Sequence, residues 1–324
     1  MDPQELIFHQ RVDAAQVALI AAEIGLRLDA NETAVFARQL EFVRAQTYDI
    51  EYPELKARRL IPVANDVDPA AEEFTYRQFD FAGRTKVITN PADDSPLVDV
   101  QGKEFTSKII TLGDSYAYSV FDLQRASRVG WQIDQKRAMA AREVAEFDLD
   151  DLAAVGNAET GLPGLLNHSD IQLTTADTGA WLTGPKTPLQ IIGDMNKLAK
   201  APFLATKERH APDTMLLPTD HFGHIASTPM SVDNNTTILQ FFLRNTPWIR
   251  NVEPWYRLAT AGAGGATRSM VYRRSPLVME LLISQEFTQL PPQARNYAFV
   301  VPCFLRAGGL KLYRPLACRY MDSI

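Results

Sequence analysis

The serine of Gly113-Asp114-Ser115-Tyr116 is the first side chain in this sequence that could do chemistry. A serine hydroxyl attacks an ester only when a histidine takes its proton and an acid orients that histidine. The expected partner is an Asp-x-x-His pair near the C-terminus. The nearest match, Asp220 with His224, is spaced one residue too widely and lies well before the chain end. Ser115 instead shares a period of two with Ala117 and Ser119, which reads as one face of a β-strand.

Asp220-His221-x-x-His224 also carries metal-like residue types. Histidines that share a helix face for zinc stand at i and i+4, and the metal needs three or four ligands. Here they stand at i and i+3, with no third ligand cluster and five histidines in the chain. Pro218-Thr219-Asp220 reads as a helix start capped by Thr219 or Asp220. The stretch AGAGGAT (261–267) lacks the G-K-[ST] end of a phosphate loop and the G-x-G-x-x-G spacing, and reads as a flexible tip. The basic pairs Arg58-Arg59, Lys136-Arg137 and Arg273-Arg274 are small and flanked by acids. They read as solvated faces or salt-bridge partners, with weak contact to a phosphate backbone open for a few of them. The sequence therefore assigns no catalytic, cofactor-binding or metal-binding residue.

Composition sets outer bounds. The chain has 324 residues, 33 basic and 39 acidic, a net charge of −6 and 46% hydrophobic residues. That length suggests about two domains, with enough apolar chain for a core. The acidic balance argues against a protein built to neutralise phosphates tightly. Cys303 and Cys318 form no C-x-x-C pair and read as two buried thiols in a reducing compartment, with one bridge between them left open. The N-terminus has no basic region before an apolar stretch, and Val17 to Ala22 is far short of the roughly 20 apolar residues of a membrane span. A soluble protein made in a cytoplasm is expected.

The elements that would carry these residues follow from periodicity. Residues 1–30 read as an amphipathic arm. A helix capped by Asp29 or Asn31 follows, with Phe36, Leu40 and Val43 on one face. The proline-rich segment 52–72 reads as an extended strap. From Glu73 to Val120 the pattern is β: Phe74 and Tyr76 alternate, and Phe79 and Phe81 continue after a one-residue shift. A turn-rich tip at 90–96 makes this a two-stranded excursion returning through Phe105, Ile109, Tyr116 and Tyr118. Such a hairpin is marginal alone and needs a surface, which could belong to another subunit.

Residues 121–156 read as helical, broken at Gly130. Asp134 is the expected cap of the second piece, and Ala138, Ala141, Ala145, Leu149, Leu152 and Val155 form its apolar stripe. This helix is basic early (Lys136, Arg137, Arg142) and acidic late (Glu146, Asp148, Asp150, Asp151). That order opposes the helix dipole, so partners elsewhere are expected. A loop, GNAETGLPGLLN, follows from Gly156. Helices are expected at 185–200, 220–227 and 236–245, and a buried strand at Asp213 to Leu217. The remainder reads as β, with a hairpin turned at Gly308-Gly309.

The order of these elements resembles the major capsid proteins of tailed double-stranded DNA phages, an α+β fold shared with encapsulins. The blocks that carry the resemblance are FARQLEFVRAQTYDIEYPELKARRLIPV (36–63), YRQFD (76–80), ADDSPLVDVQGKE (92–104) and GNAETGLPGLLN (156–167). It covers residues 30–170 by motif and the C-terminal half by element order.

The resemblance implies an arm and strap at 1–65 and an extended loop at 66–118 that lies over a neighbouring subunit. It implies a peripheral domain at 119–199 with 297–324, carrying a spine helix at 132–156. An axial domain at 200–296 would place Gly262 to Gly265 near a capsomer axis. Lys86, Lys103 and Lys108 fall in the loop, where some relatives cross-link, but nothing marks any of them as reactive and no cross-linking is expected. The implied function is an icosahedral shell of hexamers and pentamers around double-stranded DNA, located in the virion and assembled in the host cytoplasm. Partners would be the chain itself, separate scaffolding, portal and cement proteins, and weakly contacted DNA; no membrane and no cofactor are implied. Three alternatives stand beside it. They are an encapsulin-like compartment, a tail-tube or other virion protein, and, from another class, a serine hydrolase using Ser115 with His221 or His224.

Overall fold

Apolar runs bounded by turn formers set the strand layout. The computed structural model describes residues 53–85, 98–119, 121, 133–184, 186–231 and 234–324. In chain order these form α1 (Ala57–Leu60), β1 (Val63–Ala64), β2 (Glu73–Ala82), β3 (Asp99–Lys108), β4 (Ile110–Ser119) and the long α2 (Ile133–Ala154). Next come β5 (Gly156–Asn157), β6 (Leu162–Pro163), β7 (Leu173–Thr175), α3 (Pro188–Ala205), β8 (Thr214–Leu217), α4 (Thr219–Ser227), β9 (Pro229–Ser231), β10 (Asn234–Thr237) and α5 (Ile238–Asn245). The chain ends with β11 (Asn251–Pro254), β12 (Arg268–Tyr272), β13 (Met279–Gln289), β14 (Gln293–Arg295), β15 (Ala298–Leu312) and β16 (Cys318–Asp322). Leu55–Ile324 is one unit of the fold and Met1–Glu54 another. The expected arm, its helix with Phe36, Leu40 and Val43, the tip at 90–96 and the helical piece just before Gly130 lie outside the described residues.

One sheet runs β1-β13-β15-β14, with β4 also paired to β15. The other runs β11-β8-β12-β16-β7. All four residues of β8, Thr-Met-Leu-Leu, are buried because both faces of this second sheet are covered. Leu216, Met270, Tyr272 and Tyr320 enter a core shared with Leu149 and Leu152 of α2 and with Leu281 and Leu305 of the first sheet. Their neighbours Met215, Leu217, Val271 and Met321 enter a second core with Ile191, Met195 and Leu198 of α3 and Phe242 of α5. This period of two divides one sheet between two cores. α3 presents the expected stripe. It opens on a capping box of Thr187 and Gln190, with Pro188 at its first position.

Several local expectations need correction. Residues 110–119 are not the return strand of the hairpin: β2 pairs with β3 alone, and β4 pairs with β15 from Ile110↔Ala307 to Ser119↔Ala298. The chain turns at Ile109, which is buried and donates its N–H to Glu72 O at 2.8 Å. β4 then brings Tyr116 and Tyr118 to Ala141, Val301 and Cys303. Gly308-Gly309 is no hairpin turn. β15 runs through it, and Leu282↔Gly309 is followed by Ile283↔Ala307, so Gly308 is the extra residue of a bulge with Gly309 at φ +68°. The strap is not extended throughout; α1 interrupts it and buries Ala57 and Leu60. α2 starts at Ile133, which places Asp134 inside its first turn. Pro218 precedes α4, and neither Thr219 nor Asp220 caps it with a side chain. The glycine-rich segment is a tied turn: Ala263 N–H donates to Asp322 Oδ2 at 3.2 Å and Gly262 N–H to Ala266 O at 2.8 Å.

Candidate assembly surface

The β2–β3 hairpin has two apolar faces, and they point opposite ways. Its register is unbroken, with Phe74 opposite Ser107, Tyr76 opposite Phe105, Phe79 opposite Gly102 and Phe81 opposite Val100. An unbroken register makes the shift in alternation after Tyr76 a change of face. Near the root, Tyr76 stacks on Phe105 at 5.1 Å and meets Tyr313 edge-on at 4.9 Å. Beyond it, Phe79 is 60% exposed, Phe81 77%, Val98 68% and Val100 51%. Phe79 lies across Gly102, where a Cβ would approach its ring to 3.2 Å. Contiguous exposed apolar side chains of this kind mark an interaction surface. The shift at Phe79 was the signal in the sequence; that it means one face covered inside the subunit and one left exposed needed the register.

The root is held by the subunit itself. Arg306 donates from Nη2 to Ala71 O at 2.9 Å and from Nη1 to Pro69 O. Lys311 donates to Ser107 Oγ, and Tyr313 OH to Glu280 Oε2 at 3.0 Å. Lys311 is 4% exposed, and burial pushes its amine down to about 8.

Four of the charges of α2, Arg137, Glu146, Asp150 and Asp151, meet partners elsewhere in the chain. Arg58 clamps two carboxylates: Glu146 of α2 at 2.8 and 3.0 Å, and Glu286 of β13 at 2.9 and 2.8 Å. Asp150, buried, accepts from the N–H groups of Lys56 and Ala57 at 3.0 and 2.8 Å, so α2 supplies the acceptor for the first turn of α1. Its other oxygen takes Arg257 Nε at 2.9 Å, and Arg257 also reaches Asp151 at 2.6 Å. Arg137 donates to Ala117 O at 2.6 Å. α1, α2, the first sheet and the turn after β11 that carries Arg257 are joined through these residues.

The segment after α2 works as its C-terminal cap. Leu165 and Leu166 donate N–H to Ala153 O and Ala154 O, each at 2.8 Å, and Asn167 Nδ2 donates to Val155 O at 2.6 Å. Carbonyls at the helix end thereby gain donors. Gly156 sits at φ +80°, and a Cβ on Gly164 would meet Ala154 O at 2.4 Å. Gly156 and Gly164 are required by this close return, whereas Gly161 faces open space and is favoured only by its φ of +71°.

The residues singled out for catalysis are not brought together. Ser115 lies on β4, exposed, opposite Pro302. His221 is buried in the other core region: its ring packs 6.0 Å from Trp181 and its Nε2 lies 2.8 Å from Ile324 O. Burial holds its pKa below the usual histidine range. His224 faces Thr228 Oγ1 at 3.5 Å. Burial, and then Asp148, push the Asp114 carboxyl up. Both cysteines are free and buried, and burial raises their pKa values. Among the described residues no group of three His, Cys, Asp or Glu could hold a metal, and no helix is long and apolar enough to cross a membrane. Of the basic pairs, Arg58 and Arg59 (to Glu253 at 2.7 Å) are salt-bridge partners. Arg273 meets His210 instead. Lys103 lies over Phe105 at 4.7 Å, and Lys86 is outside the described residues.

The comparisons agree with this architecture. The family described as Major capsid protein matches residues 83–324. No curated protein sequence matches the chain. The capsid of Myoviridae phage XM1 is similar in structure at 17% identity, with TM-score 0.78, covering 89% of this chain and 98% of that one. Mycobacterium phage Bobi is similar at 13% identity and TM-score 0.59, covering 91% and 98%. The virus-like particle from Pyrococcus furiosus is similar at 11% identity and TM-score 0.53, covering 81% and 90%. The fold is the expected α+β fold of tailed-phage capsids, and the family match favours a capsid over the compartment and hydrolase alternatives. The chain belongs to the major capsid protein family, the structural subunits from which a virion shell of many copies is built.

Proposed function

We propose that this subunit assembles into an icosahedral shell of hexamers and pentamers around the double-stranded DNA of a tailed phage, and that it acts without catalysis. The observation that carries the reading is the distal hairpin face of Phe79, Phe81, Val98 and Val100. A two-stranded ribbon with an apolar face is marginal in water, and it gains its cover by lying across a neighbouring copy. The extended loop expected at 66–118 is assigned to 66–109, with β2 and β3 as its projecting part, because β4 belongs to the first sheet. The arm and strap are assigned to 1–65, the peripheral domain to 119–199 with 297–324, and the axial domain to 200–296. A single contact of ordinary size, about 800 Å² per partner, is reversible, and a closed shell multiplies it. The net charge of −6 suits a container that touches DNA weakly. Scaffolding, portal and cement functions are assigned to separate proteins.

The test is Phe79→Ser with Phe81→Ser. Each phenylalanine is worth about 1.5–3 kcal/mol when covered. The subunit should keep its melting temperature and lose shell formation. Shells forming at the wild-type protein concentration would overturn the reading.

A further inference from the structure

Two arginines converge on one buried histidine at the end of the second sheet away from the Gly262 turn. His210, just after α3, is 9% exposed. Arg314 Nη1 lies 3.0 Å from its Nε2, and Arg273 Nη1 lies 3.4 Å from its Nδ1. Arg209 is next in sequence and exposed. A neutral imidazole has one acceptor nitrogen, so it can satisfy only one of the two guanidinium groups, and the other faces an N–H. Burial first, then Arg314, Arg273 and Arg209, hold the histidine below its usual pKa.

Among the described residues no carboxylate pairs with Arg209, Arg273 or Arg314. Asp213, just before β8, accepts at Oδ1 from Thr214 Oγ1 and Arg274 N–H, each at 2.8 Å, and not from these arginine side chains. This is unlike Arg58, Arg257 and Arg268, each of which holds at least one carboxylate. In an isolated subunit the cluster is like charge against like charge, and the planar forks suit an incoming oxyanion.

We infer that His210, Arg273 and Arg314 form a receptor for a carboxylate of a second copy of this chain, filled when subunits assemble. The copy is favoured over DNA on two grounds. Acids outnumber bases 39 to 33, so every subunit brings surplus carboxylates. The forks, of Arg273 just after β12 and Arg314 just after β15, are also half-buried around one imidazole, which suits one planar bidentate group, whereas a phosphate backbone is tracked by a stripe of projecting cations. The expected carboxylates are Asp80 and Asp99, exposed on the distal hairpin on the face opposite the one that carries Phe79, Phe81 and Val100. This last assignment rests on the hairpin lying over a neighbour.

Two experiments on the full chain test it. Arg273→Ala with Arg314→Ala should raise the subunit concentration needed for shell assembly at least about tenfold, with the melting temperature of free subunits unchanged. Assembly at the wild-type concentration overturns the proposal, as does normal assembly with loss of DNA retention, which would make the site a phosphate contact. If the double variant fails to fold, Arg314→Lys carries the test. Shells of this variant are made from mixed 15N-labelled and unlabelled subunits and treated with a carbodiimide. The reagent activates a carboxylate, the new amine attacks its acyl carbon, a urea leaves and an amide remains. Mass spectrometry should find mixed-isotope peptide pairs joining position 314 to Asp80 or Asp99. Mixed pairs to another acid keep the receptor and reject only the hairpin assignment. Pairs within one chain only, or none, overturn the receptor.

Discussion

Asp150→Ala tests whether α2 is tied to the start of α1 and to the turn after β11 through one buried carboxylate. The side chain is 2% exposed, Arg257 is 11% exposed, and their N–O distance is 2.9 Å. Removing one partner of a buried pair costs about 3–5 kcal/mol because the other charge stays buried. Arg257 keeps Asp151 at 2.6 Å, which places the loss near the lower end, about 3 kcal/mol. The Lys56 and Ala57 N–H groups lose their acceptor, adding about 1 kcal/mol. Asp150→Ala should therefore cost about 4 kcal/mol, or roughly 8–16 °C in melting temperature. Asp150→Asn keeps an acceptor oxygen and should cost about 2 kcal/mol. Asp151→Ala, at a carboxylate 51% exposed, should cost about 0–1 kcal/mol. The assay is urea unfolding of unassembled subunits. A loss below about 1 kcal/mol for Asp150→Ala, or one equal to that of Asp151→Ala, would refute the reasoning.

Three further outcomes are expected. Gly164→Ala would push a methyl against Ala154 O, so soluble subunits should be lost or destabilised by about 3 kcal/mol or more, read by yield and melting temperature. The buried Lys311 has a folded pKa of about 8 against 10.5 unfolded, so the unfolded chain binds more protons between those values and stability rises with pH across that window. Lys311→Met should remove that rise and gain up to on the order of 3 kcal/mol at pH 7, less the lost bond to Ser107; a variant with the wild-type pH profile would contradict this. Ser115→Ala should leave shell formation intact, and a loss of esterase activity on this change would restore the hydrolase reading.

Local signals in the sequence carried the single elements. The stripe of α2 from Ala141 to Leu152, the stripe of α3 and the apolar run 214–217 each depend on residues close in the chain, and each was readable, whereas Val155, read on the same stripe of α2, is 47% exposed past the helix end. The polarity of α2 announced missing partners but not their identity, since Arg58 and Arg257 lie far away in sequence. β4 was assigned to the wrong partner because Phe105 to Tyr118 alternates almost continuously, and only the buried kink at Ile109 separates two strands. Gly308-Gly309 serves a turn or a bulge equally well, and the strand opposite decides between them. The tip of the hairpin shows the reverse case: the alternation shift at Phe79 was visible, and it marked the face that the subunit leaves uncovered.

The most direct measurement is electron microscopy of the purified full chain across a range of protein concentrations. Closed shells, or capsomers that condense into them, are the predicted result. A strictly monomeric particle at every concentration would contradict the account.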